Sequence, residues 1–126
     1  MNIRKLKANE HAPMDLLLLA DPSEEFVADY LEKGECFLAE TEEDTIGVFV
    51  LLPTRPGTVE LVNLAVSEPF QGRGIGKKLV TFAIQSARSE GYRTIEVGTG
   101  NAGIGQLALY QKCGFRITAI DFDFFY

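Results

Sequence analysis

The sequence is poor in the residues that bind metals or form disulfides. Its 126 residues include two cysteines, Cys36 and Cys113, and one histidine, His11. The cysteines lack the close spacing of a metal or redox motif, which predicts buried thiols in a reducing compartment. We therefore expect no metal site, a cytoplasmic location and a surface position for His11.

Long apolar runs and an excess of positive charge are also absent. No segment approaches the roughly 20 apolar residues of a membrane-spanning helix, and the N-terminus lacks the apolar core of a signal peptide. The formal net charge of −6 argues against binding to a nucleic-acid backbone and is compatible with a cationic substrate. The sequence thus predicts no membrane and no nucleic-acid partner, and its length fits one domain spanning residues 1–126.

The most informative stretch is LVNLAVSEPFQGRGIGKKL, residues 61–79. An apolar run of strand length ends before Pro69, and a helical pattern of apolar residues begins at Ile75. Three glycines at alternate positions between them allow a tight turn and a close approach of ligand to backbone. Such a turn before a helix N-terminus exposes unpaired N–H groups at the positive end of the helix dipole, which favours phosphate. The basic residues of this segment are Arg73, Lys77 and Lys78.

Two common phosphate-binding motifs do not fit this spacing. A Walker A loop needs a glycine where Gln71 stands, and it needs Ser or Thr where lysine follows Lys77. A dinucleotide fingerprint, Gly-x-Gly-x-x-Gly, started at Gly72 ends on Lys77 instead of glycine. The segment therefore predicts a phosphate site of another kind.

The pattern Gln71-x-x-Gly74-x-Gly76, placed between a strand and a long helix, resembles the pyrophosphate loop of the GNAT superfamily of N-acetyltransferases. The resemblance implies that acetyl-CoA is the cosubstrate and that it binds the loop mainly through backbone amides. It also implies that the pantetheine arm binds the unpaired backbone of the central strand, where an amide of Ala65 or Val66 would polarise the acetyl carbonyl. The residues so implied are Leu64, Ala65, Val66, Gln71, Gly72, Arg73, Gly74, Ile75, Gly76 and Lys77.

A second segment, LYQKCGF at residues 109–115, resembles the Leu-Tyr-x-Lys-x-Gly-Phe segment of the same family. In that family the tyrosine reaches the sulfur of CoA, so the resemblance gives Tyr110 the role of the general acid for the departing thiolate. A phenol can donate this proton at neutral pH. By the same resemblance, Asn101 would hydrogen-bond the pantetheine arm.

The general base is assigned to Glu60 at the start of the central strand. Many members of the family carry a carboxylate near this place, which deprotonates the amine through water. An exposed carboxylate at a strand end is an equally good interpretation, and the amine could also arrive neutral. Alternation puts Glu60 and Val62 on one face unless a bulge changes the register.

The order of elements predicts an α/β (α+β) fold with a mixed central sheet, antiparallel N-terminal strands and flanking helices, which is also the GNAT fold. Strands are expected at 2–8, 35–41, 45–52, 58–66, 92–99 and 115–125. Helices are expected at 12–20, 23–33 and 75–90, with another ending at Gly114, and a turn at 53–57. The fifth strand follows a crossover helix and should therefore run parallel to the fourth.

The resulting prediction is an acetyl-CoA-dependent N-acetyltransferase that acetylates a primary amine of a small molecule or protein directly. The alternative is a non-catalytic acyl-CoA-binding sensor or subunit. The sequence ends where members of the family add another strand. An apolar edge strand at that place predicts a homodimer.

Overall fold

One mixed sheet organises the structure, a computed structural model that describes residues 1–97 and 116–117. Its six strands lie in sequence order: β1 Asn2–Lys5, β2 Glu35–Glu40, β3 Thr45–Arg55, β4 Thr58–Val66, β5 Thr94–Val97 and β6 Arg116–Ile117. The helices are α1 Met14–Ala20, α2 Glu24–Lys33 and α3 Ile75–Ser89. Strands β1 to β4 are antiparallel to their neighbours, whereas β5 runs parallel to β4 and β6 runs parallel to β5. The predicted mixed sheet and the parallel crossover through α3 are confirmed.

The two longer helices begin and end where their sequence signals predict. The Ser23 hydroxyl accepts a 3.2 Å hydrogen bond from the Phe26 amide and so caps α2. Helix α3 follows Gly74 and ends ahead of Gly91, which has a positive φ of 90°. Each helix buries one apolar stripe against the sheet, which is the main source of helix stability in a folded protein.

The two faces of the sheet carry separate apolar layers. Helix α3 covers one face, where the rings of Phe37 and Phe49 stack with centroids 4.7 Å apart and Phe82 packs edge-on against Phe37. Helices α1 and α2 cover the other face. Its buried members are Leu16, Leu17, Val27, Tyr30, Cys36, Leu38, Val48, Val50 and Ala65.

A bulge at Val62 interrupts the alternation of β4. Val50 of β3 pairs with Asn63, but the next residue, Leu51, pairs with Leu61, so Val62 is the extra residue. Before the bulge, Leu61 faces the layer under α3. After it, Asn63 faces α1 and α2, so the bulge puts a polar side chain on the same face as Val62.

Several predicted boundaries were wrong. Strand β3 continues through Pro53 to Arg55, and only Pro56 and Gly57 form the turn that we expected over 53–57. In the part of the chain that is described, β2 pairs with β3 only as far as Leu51, so the missing N–H of Pro53 breaks no bond on that side.

Three other predicted boundaries differ in the structure. Strand β1 ends at Lys5, β5 begins at Thr94, and α1 begins at Met14. The helix expected to end at Gly114 and most of the last predicted strand lie outside the described residues. Within residues 1–97 and 116–117, no helix has the length and apolar character needed to cross a membrane.

Candidate active site

The N-terminus of α3 presents free backbone donors. Gly74 precedes the helix with a φ of 80°, and no side chain caps the helix there. The Lys78 amide donates to the Gly74 carbonyl at 3.2 Å, so the amides of Ile75, Gly76 and Lys77 precede the first intrahelical bond. These amides lie at the positive end of the helix dipole, where an anion is stabilised by about 0.3–1 kcal/mol at an exposed site.

The charges around α3 differ from those around the other two helices. The first turn of α1 contains Asp15, and that of α2 contains Glu24 and Glu25, whereas the first turn of α3 contains no acidic residue. The exposed basic side chains near the start of α3 are Arg73, Lys77 and Lys78. The α3 N-terminus is therefore the one among these three that lacks its own negative charge, and it fits a pyrophosphate group.

The loop before α3 is fixed to the end of β4. The Gln71 side-chain amide donates a 2.9 Å hydrogen bond to the Val66 carbonyl, and the Arg73 guanidinium lies 5.3 Å from the centroid of the Phe70 ring. A Cβ added at Gly72 or Gly74 would meet no atom within 4 Å, so their positive φ values are what require glycine. Gln71 thus stabilises the loop through its hydrogen bond to the end of β4.

The backbone of β4 beyond the bulge pairs on only one side among the described residues. Residues Leu64, Ala65 and Val66 pair with β3. On the other side, the described part of the ladder with β5 pairs Thr58–Leu61 with Thr94–Val97. The predicted pantetheine-binding segment is thus the part of β4 that lies past the described β5 ladder, directly before the loop that leads to α3.

Two acidic side chains lie side by side across the β4–β5 ladder. Glu60 and Glu96 are Cα partners in register, and partners in a parallel ladder share a face. Val59 and Leu61 pack under α3, so Glu60 points to the opposite face, and it is half-buried. The Glu96 carboxylate accepts a 2.6 Å hydrogen bond from the Arg55 guanidinium. Glu96 was not among the predicted site residues, although a glutamate between Ile95 and Val97 marks the polar face of a strand.

Asn63 forms a buried polar contact on the same face, which the sequence analysis also missed. Its side-chain amide donates to the Leu17 carbonyl at 3.0 Å and to the Tyr30 hydroxyl at 2.7 Å. The Tyr30 hydroxyl in turn donates to Asp21 at 3.3 Å. Burial raises the pKa of Tyr30 above its ordinary value, so this hydroxyl keeps its proton. The sequence signal was a single amide within the apolar run LVNLAV.

The remaining predicted residues have varied positions. Burial raises the pKa of the Cys36 thiol to about 12, so this cysteine is unreactive at neutral pH, and His11 is exposed. Asn101, Tyr110 and Cys113 lie outside the described residues. No group of three or more His, Cys, Asp or Glu side chains in residues 1–97 and 116–117 is placed to hold a metal ion.

Comparisons with known proteins connect this geometry with CoA. The model of the acetyltransferase (GNAT) family matches residues 6–115. The uncharacterized N-acetyltransferase YvbK of Bacillus subtilis is 56% identical over 131 residues, which cover 99% of this chain and 84% of that protein. Human N-acetyltransferase 8B is 34% identical over 115 residues, which cover 86% of this chain and 51% of that relative. The chain therefore spans about half the length of that relative.

Solved structures give the same result. A Bacillus subtilis acetyltransferase in complex with CoA is 56% identical, with a TM-score of 0.88, over 98% of this chain and 81% of that one. A GNAT family acetyltransferase from Elizabethkingia anophelis with acetyl-CoA bound is 47% identical, with a TM-score of 0.89, over 94% of this chain and 77% of that one. The similarity covers the sheet, the three described helices and the loop before α3.

Proposed function

Because this chain belongs to the GNAT family and is an acetyl-CoA-dependent N-acetyltransferase, we propose that it acetylates a cationic primary amine on the sheet face that carries Glu60. The observation that carries the proposal is the separation of charge in the molecule. Basic residues cluster where the anionic donor binds, and acidic residues cluster on the helices of the opposite face.

The N-terminus of α3 holds the pyrophosphate of the donor. The amides of Ile75, Gly76 and Lys77 donate to it, and the Arg73 and Lys77 side chains add positive charge. Gln71 contributes by fixing the loop to Val66, with Gly72 and Gly74 supplying the turn. The support for this assignment is the uncapped start of α3 and the absence of acidic residues in its first turn.

The backbone of β4 past the bulge binds the pantetheine arm and the acetyl group. Leu64, Ala65 and Val66 pair with β3 on one side, and the N–H and C=O groups on their other edge are the donors and acceptors that we assign to the pantetheine arm. An amide of Ala65 or Val66 donates to the acetyl oxygen as negative charge develops there. Asn101 adds a hydrogen bond to the pantetheine arm.

Glu60 is the general base, and Tyr110 is the general acid. Glu60 takes a proton from the ammonium group directly or through water, which leaves a neutral amine that attacks the thioester carbonyl. The bond between carbonyl carbon and sulfur breaks, and the Tyr110 hydroxyl protonates the thiolate. The second proton lost by the amine nitrogen returns through water to Tyr110, and Glu60 releases its own proton to solvent. Glu96 stands beside Glu60 and, held by Arg55, keeps a second acidic side chain near the incoming ammonium group.

The acceptor is a cation because of the charge on α1 and α2. The acidic residues of this helix pair and its linker are Asp15, Asp21, Glu24, Glu25, Asp29 and Glu32, against the single basic residue Lys33, which pairs with Asp29. Field lines from clustered charges raise the local concentration of an oppositely charged ligand. An amine with a second positive charge therefore binds this face better than a neutral or anionic amine does.

A panel of primary amines tests the proposal: spermidine, lysine methyl ester, tyramine and glutamate, each with acetyl-CoA. We expect kcat/KM to be highest for spermidine and lysine methyl ester and to fall steeply with added salt, because salt screens exposed charges. A higher kcat/KM for glutamate than for either cation would contradict the assignment of a cationic acceptor while leaving acetyl transfer itself intact.

A homodimer, a cytoplasmic location and a single domain over residues 1–126 complete the proposal. The homodimer rests on the apolar strand predicted over residues 115–125, which offers an edge for pairing with a second copy. The location rests on two cysteines that lack the close spacing of a metal or redox motif. Light scattering on the full chain measures the dimer directly, and a monomer at micromolar concentration would exclude it.

A further inference from the structure

We infer that Asn63 is a positioning residue for the acceptor amine. Its side chain holds the α1–α2 corner, residues 17–23, against β4, and the position of this corner determines how well the acceptor binds. The inference rests on the proposed function, because it assumes that the acceptor enters on the face that carries Glu60.

A single buried side chain joins β4 to both helices of this face. Asn63 is 3% exposed. Its Nδ2 atom donates to the Leu17 carbonyl of α1 at 3.0 Å and to the Tyr30 hydroxyl of α2 at 2.7 Å. The Leu17 carbonyl also accepts the bond from the Asp21 amide, at 3.1 Å, that closes α1. The end of α1 and the middle of α2 are therefore fixed to one atom of β4.

The hydrogen bonds continue from Tyr30 into the linker between the helices. The Tyr30 hydroxyl donates to one side-chain oxygen of Asp21 at 3.3 Å, and the other oxygen accepts from the Ser23 amide at 3.0 Å. Ser23 then caps α2. Helix α1 is seven residues long and has no side-chain cap of its own. The corner thus depends on this chain of hydrogen bonds for its direction as well as on apolar packing.

The direction of the Asn63 side chain follows from the bulge at Val62. Strict alternation from Leu61 would give Asn63 the face under α3, where no polar partner is described. The extra residue turns it toward α1 and α2, on the face of Glu60. Asn63 also directly precedes Leu64, the first residue of the donor-binding segment. A change at Asn63 therefore shifts the α1–α2 corner, while the hydrogen bond between Gln71 and Val66 still fixes the loop before α3.

The benefit of asparagine at this place comes from its N–H groups. Its Oδ1 atom is buried and has no hydrogen-bond partner among the described residues. A buried acceptor without a donor destabilises the folded state, and an apolar side chain of similar size would avoid that cost. The two bonds that Nδ2 makes to α1 and α2 are what this residue contributes.

Two variants test these bonds with little change of shape: one removes both N–H donors of Asn63, and the other removes only the Tyr30 acceptor. Asn63→Asp keeps the size and loses both N–H donors, and Tyr30→Phe keeps the ring and loses the hydroxyl. KM for acetyl-CoA and for the fastest amine of the panel above is measured well below the melting midpoint of each variant. We expect the KM of the amine to rise roughly tenfold, the effect of about one hydrogen bond, and the KM of acetyl-CoA to stay within twofold.

A third variant, Val27→Ala, separates positioning from stability. Val27 is fully buried in the same layer and has no side-chain polar group. We expect its melting midpoint to fall and its KM values to stay within twofold of wild type. If Asn63→Asp does not fold, Tyr30→Phe carries the test.

Three results would overturn the inference. The first is an amine KM in Tyr30→Phe equal to that of wild type. The others are a rise in the KM of acetyl-CoA as large as that of the amine, and a rise in the amine KM of Val27→Ala as large as that of Tyr30→Phe. Failure of the proposed function looks different, because wild type itself would then acetylate none of the four amines, and the inference would fall with it.

Discussion

Glu60 on β4 and Glu96 on β5 are partners in the parallel ladder, and the Glu96 carboxylate is held by the Arg55 guanidinium at 2.6 Å. Two acidic side chains thus lie on one face, and Glu96 is paired with a cation. Glu60 lies on β4, and α1 packs against β4 on this face, whereas Glu96 lies on the neighbouring strand β5. The pair supplies a direct test of which carboxylate is the base.

We expect Glu60→Gln to lower kcat by roughly 100-fold or more, because a positioned base typically contributes this much to the rate. The amide keeps the shape of the side chain, so the melting shift caused by acetyl-CoA should stay the same. The matched control is Glu96→Gln, which should lower kcat less. A full rate in Glu60→Gln together with a large loss in Glu96→Gln would move the role of the base to β5.

The donor loop is tested by a pair of glycines with the same backbone conformation. Gly74 before α3 and Gly57 between β3 and β4 have φ values of 80° and 77°, and a Cβ added at either meets no atom within 4 Å. Alanine at either position should lower the free energy of unfolding by about 1–2 kcal/mol. Only Gly74→Ala should weaken the binding of acetyl-CoA, which would appear as a smaller shift of the melting midpoint at a fixed acetyl-CoA concentration. Equal shifts in both variants would show that the loop does not bind the donor.

The general acid is tested by Tyr110→Phe. We expect kcat to fall by roughly 100-fold or more while the KM of acetyl-CoA stays within a few-fold, because the ring remains and only the proton donor is lost. Tyr92→Phe is the control, since Tyr92 packs at the edge of the layer under α3. A normal kcat in Tyr110→Phe would assign the proton to water or to another group.

The stability of the fold should depend on pH through Glu90. Glu90 is an exposed residue, and partial desolvation, followed by the negative charge of Glu35, raises its pKa above the ordinary value in the folded protein. A carboxyl whose pKa is raised on folding stabilises the protein at pH below its unfolded value, and this stabilisation is lost as the pH rises through the folded value. Compared with wild type, Glu90→Gln should therefore gain stability as the pH rises above about 4.5, measured by chemical denaturation.

Glu10 provides a control of opposite sign for this measurement. Its two hydrogen bonds from the Arg4 guanidinium, 2.7 Å each, lower its pKa to about 2. Glu10→Gln should therefore be less stable than wild type near neutral pH, and the difference should shrink as the pH falls from about 4.5 toward 2. A constant difference between Glu90→Gln and wild type over the same pH range would contradict the account of Glu90.

The sequence predicted most of the sheet and the start of α3 because their signals are local. The strand at Thr58–Val66 was predicted with the bounds that the structure shows, and the end of α2 at Gly34 and the start of α3 after Gly74 followed from glycine and capping chemistry. Local signals also explain an error. Pro53 suggested a turn, but β3 runs on through it because β2 no longer pairs there.

The contacts of Asn63 and Glu96 could not be predicted in the same way because they join distant parts of the chain. The bond between Asn63 and Leu17 spans 46 positions, and that between Arg55 and Glu96 spans 41. Nothing in the residues around Asn63 indicates α1, and the bulge that turns it there depends on register with β3. Glu60 was predicted from a family resemblance, whereas its partner Glu96 became visible only through the parallel ladder.

The most direct test of the account is the release of CoA thiol from acetyl-CoA, followed with a thiol reagent, in the presence and absence of spermidine or lysine methyl ester. The account predicts release that requires the amine, saturates with both substrates and is reduced roughly 100-fold in Glu60→Gln. Binding of acetyl-CoA, seen as a melting shift, without amine-dependent release from any amine of the panel would contradict it.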